Sequence, residues 1–491
     1  MSAPRFDVAG VSVSPDHYID GRRVASGDTF ACVSPIDQTH LAEIASGNAA
    51  HVDAAVSSAA QAFAAWAALG ASARLPYLQR FADEVGRRAE AFATLESVDA
   101  GVLRSRMAHG VVPRAMQNIT WFAEHAMTLQ DRVIETPQAR HLVRHDPAGV
   151  VAVITPWNSP LMLATWKIGP ALACGNTVVL KAPEWAPLTS SLLADCAHEA
   201  GLPPGVLQVL QGPGAVTGAA LVSDTRLARI SFTGSVATAR WIATAAAANL
   251  VPCSLELGGK SAFIVLADAD LDAAAATAAL MYRNAGQVCL AGTRLLVHAD
   301  VAPAFTDKLR VLVERLVVGD PRDGQTEVGP IIHPRQLERV QGFVDRAVTA
   351  GARVLWGGTR HTFGAQYFAP TLLTDLRQHD EIVQQEVFGP VLTLQTFASD
   401  DEVVDMANGT DYGLGGVCYG DEAHAIAVAQ RVRTGFLWIN SFGIRDLAAP
   451  FGGTKRSGIG REGGDWSFDF FCDVKDVVVP KQPFKASFSH R

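Results

Sequence analysis

Short apolar runs rich in β-branched residues alternate with helical patterns through the middle of the chain. Turn residues close each run, and this alternation is typical of parallel βαβ units. A helix is predicted over 189–200, because a hydroxyl residue opens it and Gly201 closes it. The strands predicted for the first sheet are 150–154, 177–181, 206–210, 228–233 and 252–255. The pattern therefore predicts a doubly wound α/β sheet.

A second α/β series begins after Gly259. Its predicted elements are a strand over 262–266, a helix over 271–284, a strand over 293–297 and a helix over 301–317. Two further segments, 132–144 and 472–479, show strand-like patterns outside both series. Such outlying strands commonly pair away from the main sheets, and we expect these to pair with another subunit.

Composition and charge restrict the class of protein. The 491 residues are 48% hydrophobic and 18% charged, which is enough to bury the cores of two or three domains. The net charge is -8 and the basic residues are spread out, so nucleic acid binding is not expected. The first ten residues lack a signal-peptide pattern, and no apolar run approaches the ~20 residues that span a bilayer. We therefore expect a cytoplasmic protein without membrane contact.

One of the seven cysteines lies in a context that favours a reactive thiol. Cys289 stands in NAGQVCLAGTR, between small residues at the predicted end of a long helix. Small neighbours let the Cys289 amide point at a reacting oxygen, and a thiolate attacks a carbonyl readily. The alternative is a buried structural cysteine, which is our interpretation of the other six. The odd total of seven cysteines and the lack of any CxxC pair predict neither disulfides nor a metal site.

Two further segments offer the partners that such a thiol needs. In LELGGK, Glu256 leaves a strand and meets Gly258 and Gly259, so its carboxylate can move and take a proton from water. In ITPWNSP, a strand ends in a turn that carries Asn158, whose amide can donate to an oxyanion. The alternatives are a strand-end glutamate that faces solvent and a turn asparagine held by its own backbone.

Phosphate and ribose binding are predicted at two strand ends. In FTGS, Gly234 and Ser235 close a strand and open a helix, whose free amides can meet a pyrophosphate. The motif is not GxGxxG, and turn geometry alone is the alternative. In KAPE, Lys181 and Glu184 can hydrogen-bond ribose hydroxyls. A carboxylate there would repel a 2′-phosphate, so NAD is favoured over NADP.

Seven motifs together show a family resemblance. TPWN, KAPE, FTGS, LELGGK, GQVC, QEVFGPV and PFGGTKRSGIGREGG occur here in the order and spacing of the aldehyde dehydrogenase superfamily. The resemblance covers nearly the whole chain. It implies an NAD-binding domain over 1–125 and 148–258 and an α/β catalytic domain over 259–470. It also implies bridging strands over 126–147 and 471–491 that build a homodimer or homotetramer.

The resemblance also implies roles for the residues at matching positions. Cys289 would be the nucleophile that forms a thioester, Glu256 the base that activates water, and Asn158 the oxyanion donor. The residues implied to bind NAD are Lys181 and Glu184 at the adenosine ribose, Gly234 and Ser235 at the pyrophosphate, Trp157 beside them, Glu386 at the nicotinamide ribose and Phe388 at the ring.

The substrate is predicted from a narrower resemblance. NSFGIRDLAAPFGG and PRAMQNITWFA resemble the branch that oxidises 2-hydroxymuconic semialdehydes, above all 5-carboxymethyl-2-hydroxymuconate semialdehyde. These substrates carry carboxylates, which an arginine fork can bind bidentately. Arg445 is our candidate for the carboxylate remote from the aldehyde, with Arg114 helping, and a surface ion pair is the alternative for each. Relatives often have a second arginine after RDL, where this chain has Ala448 and Ala449.

Three other functions stay open at this point. A broad-specificity aldehyde dehydrogenase, acting on betaine, aromatic or aliphatic aldehydes, would leave both arginines structural. A CoA-acylating relative is disfavoured because such enzymes usually lack the glutamate that Glu256 supplies. A catalytically silent binding or structural protein would be expected to have lost Cys289 or Glu256, and this chain has both.

Overall fold

Two open sheets with helices on their faces form the frame of the computed structural model, which describes residues 5–129 and 131–483. The first sheet has eight strands, and the five in its middle are parallel. In spatial order they are Gly458–Ile459, Cys253–Leu257, Leu227–Gly234, Val150–Ile154, Thr177–Lys181, Leu207–Leu210, His17–Ile19 and Arg22–Val24. The doubly wound sheet predicted from the sequence is confirmed.

The second sheet has seven strands, parallel except for the antiparallel pairing of Arg353–Trp356 with its neighbour. In spatial order the strands are Arg353–Trp356, Thr371–Thr374, Val391–Phe397, Arg294–His298, Ala262–Val265, Gly416–Tyr419 and Trp438–Ile439. The central Ala262–Val265 strand is buried along its whole length, which explains its uninterrupted apolar sequence. This is the second α/β unit expected after Gly259.

A third, antiparallel sheet lies outside the two main ones. It consists of Cys472–Pro480, Ala139–Pro147 and Arg132–Glu135. Three two-stranded sheets complete the set: Phe6–Val8 with Val11–Val13, Thr29–Val33 with His40–Ala45, and Tyr412–Gly413 with Thr454–Lys455. The predicted outlying strands therefore pair with each other within one chain. Residues 1–4 and 130, and 484–491 of the predicted bridging tail, lie outside the described residues.

Helices pack on both main sheets, and local sequence signals fix many of their ends. Asn48 caps the first long helix, and Gly175 ends another in the left-handed conformation that glycine favours. The α-helices are Ala49–Ala68, Gly70–Arg87, Ala89–Ala100, Arg104–Arg106, Val112–His125, Pro160–Cys174, Leu188–Glu199, Ala219–Val222, Val236–Ala248, Leu271–Ala279, Ala302–Val313, Pro334–Thr349, Glu381–Gln384, Asp400–Asn408, Glu422–Ala429 and Gly464–Phe471. Met107–Val111 and Gly214–Gly218 are π-helical turns, and Leu280–Gly286 is a 3₁₀ segment.

Two predicted elements differ from the structure. The helix expected over 271–284 ends as an α-helix at Ala279, because the chain turns into the 3₁₀ segment Leu280–Gly286 and then reverses. The helix expected over 301–317 is the shorter Ala302–Val313, which ends where the buried stripe of that helix ends. The short strand Gly458–Ile459 also joins the first sheet, although it lies within the range predicted for the second domain.

No single helix within residues 5–129 and 131–483 is both long and apolar enough to cross a bilayer. The pair Ala49–Ala68 and Gly70–Arg87 reaches the length and composition only when taken together, and it bends by 118° at the break.

Candidate active site

The thiol of Cys289 is presented by a tightly reversed loop. Asn284, Ala285 and Gly286 follow one another in the left-handed conformation, with φ of 55°, 52° and 66°. A Cβ on Gly286 would collide with the backbone carbonyl of Gly389, so this position requires glycine. Cys289 therefore lies in a turn beyond the loop and not at the end of a long helix, as the sequence pattern had suggested.

A buried glutamine holds this loop in place. The Gln287 side chain donates to the Asn284 carbonyl at 3.0 Å and accepts the Ile332 N–H at 3.0 Å. Asn158 reaches the same loop, because its side-chain amide donates to the Gln287 carbonyl at 2.9 Å. An amide group carries two N–H bonds, so Asn158 retains one for a second acceptor. The structure thus brings Asn158 against the loop that leads to Cys289, although 131 positions separate the two residues in the chain.

Cys289 lies where two cavities meet. A small cavity of about 100 Å³ and a cleft of about 550 Å³ are both lined by Cys289 and by Asn158. The pKa of the Cys289 thiol is raised to about 12, mainly by burial and also by Glu386 and Glu256, against the lowering effect of Arg445. The thiol is therefore protonated at neutral pH and needs a base when it attacks.

Glu256 lies in the small cavity as a carboxyl group without a hydrogen-bond partner. It stands on strand Cys253–Leu257 with 3% of its surface exposed, and neither carboxyl oxygen has a partner among the described residues. Gly452 leaves room for it, since a Cβ there would lie 2.6 Å from the Glu256 Oε1. Burial raises the pKa of Glu256 well above its ordinary value, and the nearby Glu462 raises it further. Glu256 therefore does not face solvent.

Sequence reasoning missed a buried ion pair behind Glu256. Lys167 Nζ lies 2.5 Å from the Glu462 Oε1, and the Trp166 indole N–H donates to the other oxygen of Glu462. Lys167 lies on the apolar helix Pro160–Cys174, where it is the only charged residue. A lone charge in such a helix is the signal that could have revealed it, because buried charges are almost always paired.

Five of the seven residues predicted to bind the cofactor line the large cleft. They are Trp157, Gly234, Ser235, Glu386 and Phe388. Ser235 caps the helix Val236–Ala248 by accepting the Thr238 N–H at 3.1 Å, which leaves the earlier amides of that helix unpaired. The Trp157 and Phe388 rings meet edge to face, with centroids 5.3 Å apart.

Glu386 is held in the cleft by backbone contacts. Its Oε1 accepts the Gly259 N–H at 3.1 Å, and a Cβ on Gly258 would collide with this carboxyl group. Arg339 donates to the Glu386 carbonyl at 2.7 Å. Burial raises the pKa of Glu386 to about 7, against the lowering effects of the Gly259 hydrogen bond and of Arg339 and Lys260.

Lys181 and Glu184 are not among the residues that line the cleft. Lys181 is 4% exposed at the end of its strand, and burial lowers its pKa to about 8. The Glu184 carboxylate accepts the Gly214 N–H at 2.6 Å and so fixes the start of the π-helical turn Gly214–Gly218. Their predicted contact with a ribose stays a prediction.

The two candidate substrate arginines differ in position. Arg445 lines the small cavity, and its guanidinium lies 3.8 Å from the centre of the Phe451 ring and 4.9 Å from that of Trp166. Burial lowers the pKa of Arg445 to about 10, so it stays charged at neutral pH. Arg114 is not among the lining residues, and it donates to the Arg445 carbonyl at 3.2 Å. Arg114 thus supports the segment that carries Arg445.

A third arginine in the small cavity was not predicted. Arg106 lines it from the short helix Arg104–Arg106. Only an arginine-rich turn, LRSR, marks it in the sequence. Across 5–129 and 131–483 no group of three or more His, Cys, Asp or Glu side chains is placed to hold a metal ion.

Comparisons with known proteins decide the family. The aldehyde dehydrogenase family model matches residues 23–477. This chain belongs to the aldehyde dehydrogenase family. It is 38% identical to 2-hydroxymuconic semialdehyde dehydrogenase of Pseudomonas sp. strain CF600, covering 94% of this chain and 99% of the relative. It is 37% identical to betaine aldehyde dehydrogenase of Cereibacter sphaeroides, covering 96% and 98%.

A solved structure extends the comparison to the cofactor. The indole-3-acetaldehyde dehydrogenase of P. syringae, in complex with NAD⁺ and IAA, matches with a TM-score of 0.94 at 37% identity, covering 96% of this chain and 98% of that one. The predicted family, the α/β fold and the NAD-dependent aldehyde dehydrogenase activity are confirmed.

The large cleft of this aldehyde dehydrogenase fits NAD. A capped helix N-terminus with unpaired amides suits a pyrophosphate, and the Phe232 ring packs where a Cβ on Gly234 would lie, so this turn has no room for a side chain. Glu386 offers a carboxyl group to ribose hydroxyls, and Phe388 offers an apolar face. Cys289 also lines this cleft, so its thiol lies beside the space in which NAD fits.

Proposed function

We propose that this enzyme oxidises a carboxylated semialdehyde, such as 5-carboxymethyl-2-hydroxymuconate semialdehyde, to a carboxylic acid. The observation that carries the proposal is the position of Arg445. Its guanidinium lines the same small cavity as Cys289 and Glu256, and it has no acidic partner within hydrogen-bond distance among the described residues. The similarity to a 2-hydroxymuconic semialdehyde dehydrogenase supports the same class of substrate.

The first step is the attack of Cys289 on the aldehyde. A bond forms between sulfur and the carbonyl carbon, and the thiol proton leaves to a base. Glu256 and Glu462 are the carboxyl groups that line the cavity, and Glu462 is already paired with Lys167. Glu256 is therefore the available proton acceptor.

The oxyanion formed in that step needs hydrogen-bond donors. Asn158 retains one amide N–H beyond the bond to the Gln287 carbonyl, and the Cys289 N–H lies on the same loop. Since the loop is fixed by Gln287, these donors are oriented before the substrate arrives. We assign Asn158 as the oxyanion donor.

Oxidation and hydrolysis complete the reaction. NAD, when bound, supplies the hydride acceptor that turns the adduct on Cys289 into a thioester. After Glu256 has released the thiol proton to solvent, it takes a proton from the water that attacks the thioester carbonyl. Return of that proton to the departing sulfur releases the acid and restores the Cys289 thiol. The raised pKa of Glu256 makes its ionised form a stronger base. The residues that would hold NAD are Trp157, Gly234, Ser235, Glu386 and Phe388, with Lys181 and Glu184 farther along.

Substrate choice follows from the walls of the small cavity. Met162, Leu163, Val288 and Leu290 give it apolar sides that suit an unsaturated carbon chain. Arg445 adds one positive charge that suits a carboxylate. A cationic substrate such as betaine aldehyde would meet an uncompensated guanidinium, so the cavity favours an anion over it.

The test of this proposal is an Arg445→Gln variant. We expect the KM for a carboxylated semialdehyde to rise by about tenfold or more and that for a neutral aldehyde of equal length to stay nearly constant. Arg456→Gln is the matched control, because Arg456 is an exposed arginine that pairs with Asp411. Equal losses on both aldehydes would show that Arg445 has only a structural role.

We also propose that the three-stranded sheet associates with another copy of the chain. Its strand Cys472–Pro480 leaves Val474 60% and Val478 55% exposed, and both lie at the edge of the sheet. Apolar residues on an open strand edge are typical of a surface that pairs. Light scattering on a Val478→Lys variant should show smaller particles than the dimers or tetramers expected of the unmodified protein.

A further inference from the structure

The entrance of the small cavity carries a positive charge that the proposed reaction does not use. Arg106 lines this cavity and is exposed, whereas Arg445 is half-buried. The exposure places Arg106 nearer to solvent along the same cavity. The sequence motifs of the family did not point to it.

The backbone around Arg106 is fixed by specific contacts. Gly101 ends the helix Ala89–Ala100 in the left-handed conformation, and the Arg104 N–H donates to the Pro321 carbonyl at 2.9 Å. The π-helical turn Met107–Val111 follows directly, and such turns occur frequently at functional sites. These contacts fix the position of the Arg106 backbone at the cavity.

Arg106 has no acidic partner within ion-pair distance among the described residues. Arg104, two positions earlier, pairs with Glu90. Arg283 lies near enough for its positive charge to act on Arg106. Two uncompensated guanidinium groups near each other attract an anion. This positive charge is confined to one region of the molecule, since the net charge of the whole chain is -8.

The arrangement of charge along the cavity suggests its ligand. Arg445 lies at the inner part, close enough to Cys289 and Glu256 to affect their pKa values. Arg106 is the more exposed of the two, and the lining also includes the apolar side chains of Val111, Met162 and Trp166. A largely apolar cavity lined by two guanidinium groups matches a carbon chain that carries two carboxylates.

We propose that Arg106 forms a second carboxylate subsite, so that the preferred substrate is an unsaturated semialdehyde with two carboxylates, one bound by Arg445 and the other by Arg106. Arg283 adds to the positive field at this entrance. The inference rests on the proposed function, since it takes a carboxylated aldehyde as the substrate.

The experiment compares Arg106→Gln with Arg104→Gln on three aldehydes of equal length that carry no, one or two carboxylates. For Arg106→Gln, the KM of the dicarboxylate should rise by about tenfold with kcat within about twofold. The KM of the other two aldehydes should stay within about twofold. Arg104→Gln should leave all three unchanged, because its ion pair with Glu90 is exposed and Arg104 does not line the cavity.

Two results would overturn the inference. One is an equal rise in the KM of all three aldehydes in the Arg106→Gln variant. The other is a rise in the KM of the dicarboxylate that is as large in the Arg104→Gln control as in the Arg106→Gln variant. Failure of the proposed function is distinguishable. In that case the unmodified enzyme shows no preference for any carboxylated aldehyde, and Arg445→Gln is without selective effect. If the enzyme prefers one carboxylate but gains nothing from a second, only the role of Arg106 is lost.

Discussion

The two cavities that meet at Cys289 each contain a buried carboxyl group, and the two groups are held differently. In the large cleft, Glu386 accepts the Gly259 N–H, and its pKa is raised to about 7. In the small cavity, Glu256 has no partner among the described residues, and burial raises its pKa well above its ordinary value. A carboxyl group that is fixed by a backbone hydrogen bond, like that of Glu386, suits ligand binding. A carboxyl group without a hydrogen-bond partner, like that of Glu256, suits proton transfer. Environment thus separates the roles of two residues of the same type.

The largest effect should come from the sulfur that both cavities share. Cys289→Ala should lower kcat/KM by about 10⁴-fold, because no other group can form the covalent intermediate. NADH formation measured at saturating NAD checks this. Cys253→Ser is the control, since Cys253 is a half-buried thiol on the same strand as Glu256 and lines neither cavity. A comparable loss of kcat/KM in the Cys289→Ala and Cys253→Ser variants would mean that activity does not depend on a thiol at the junction of the two cavities.

Glu256→Gln should lower steady-state kcat by about 10²- to 10³-fold, because the thioester loses its base. One equivalent of NADH per active site should still form, but more slowly than in the unmodified enzyme, because the Cys289 thiol also loses its proton acceptor. In the unmodified enzyme, kcat should rise with pH, since a raised pKa means that the ionised base is lost as pH falls. Stopped-flow fluorescence across a pH series measures both quantities. A burst without loss of turnover would contradict the role of Glu256.

Behind the small cavity, removing one charge should affect stability. Lys167→Met leaves the buried Glu462 without its cation, and breaking such a pair lowers the free energy of unfolding by about 3 kcal/mol or more. Thermal unfolding of this variant should be compared with that of the double variant Lys167→Met and Glu462→Gln. The double variant should recover part of the loss. Unchanged unfolding of the single variant would show that the pair contributes no net stability.

The smallest effect is expected in the large cleft. The ionised form of Glu386 accepts hydrogen bonds from ribose hydroxyls more strongly than the neutral form does. The KM for NAD should therefore rise several-fold as pH falls through about 7. Glu386→Gln should raise that KM by about tenfold and remove its pH dependence. Titrating NAD at constant aldehyde measures this. An equally pH-dependent KM in the variant would assign the titration to another group.

The sequence predicted the strands better than the loop that matters most for reactivity. Strands Val150–Ile154 and Thr177–Lys181 were predicted to the residue, because buried β-branched runs leave little choice. The reversal at Asn284 and Ala285 was not, since non-glycine residues in the left-handed conformation have no clear sequence signal.

Contacts between segments that are distant in the chain were also not predicted from the sequence. The pair of Lys167 with Glu462 and the support of Arg445 by Arg114 join residues about three hundred positions apart. Local patterns carry no information about such pairs. The family motifs named Cys289 and Glu256 as partners, but only packing shows that both line a single cavity.

We propose that Cys289 carries the acyl group at the junction of the two cavities. The decisive measurement is mass spectrometry of the Glu256→Gln variant after it has been mixed with NAD and a carboxylated semialdehyde and then digested. An acyl adduct is expected on the peptide that contains Cys289 and on no other cysteine. An adduct on a different residue, or turnover without any covalent adduct, would contradict it.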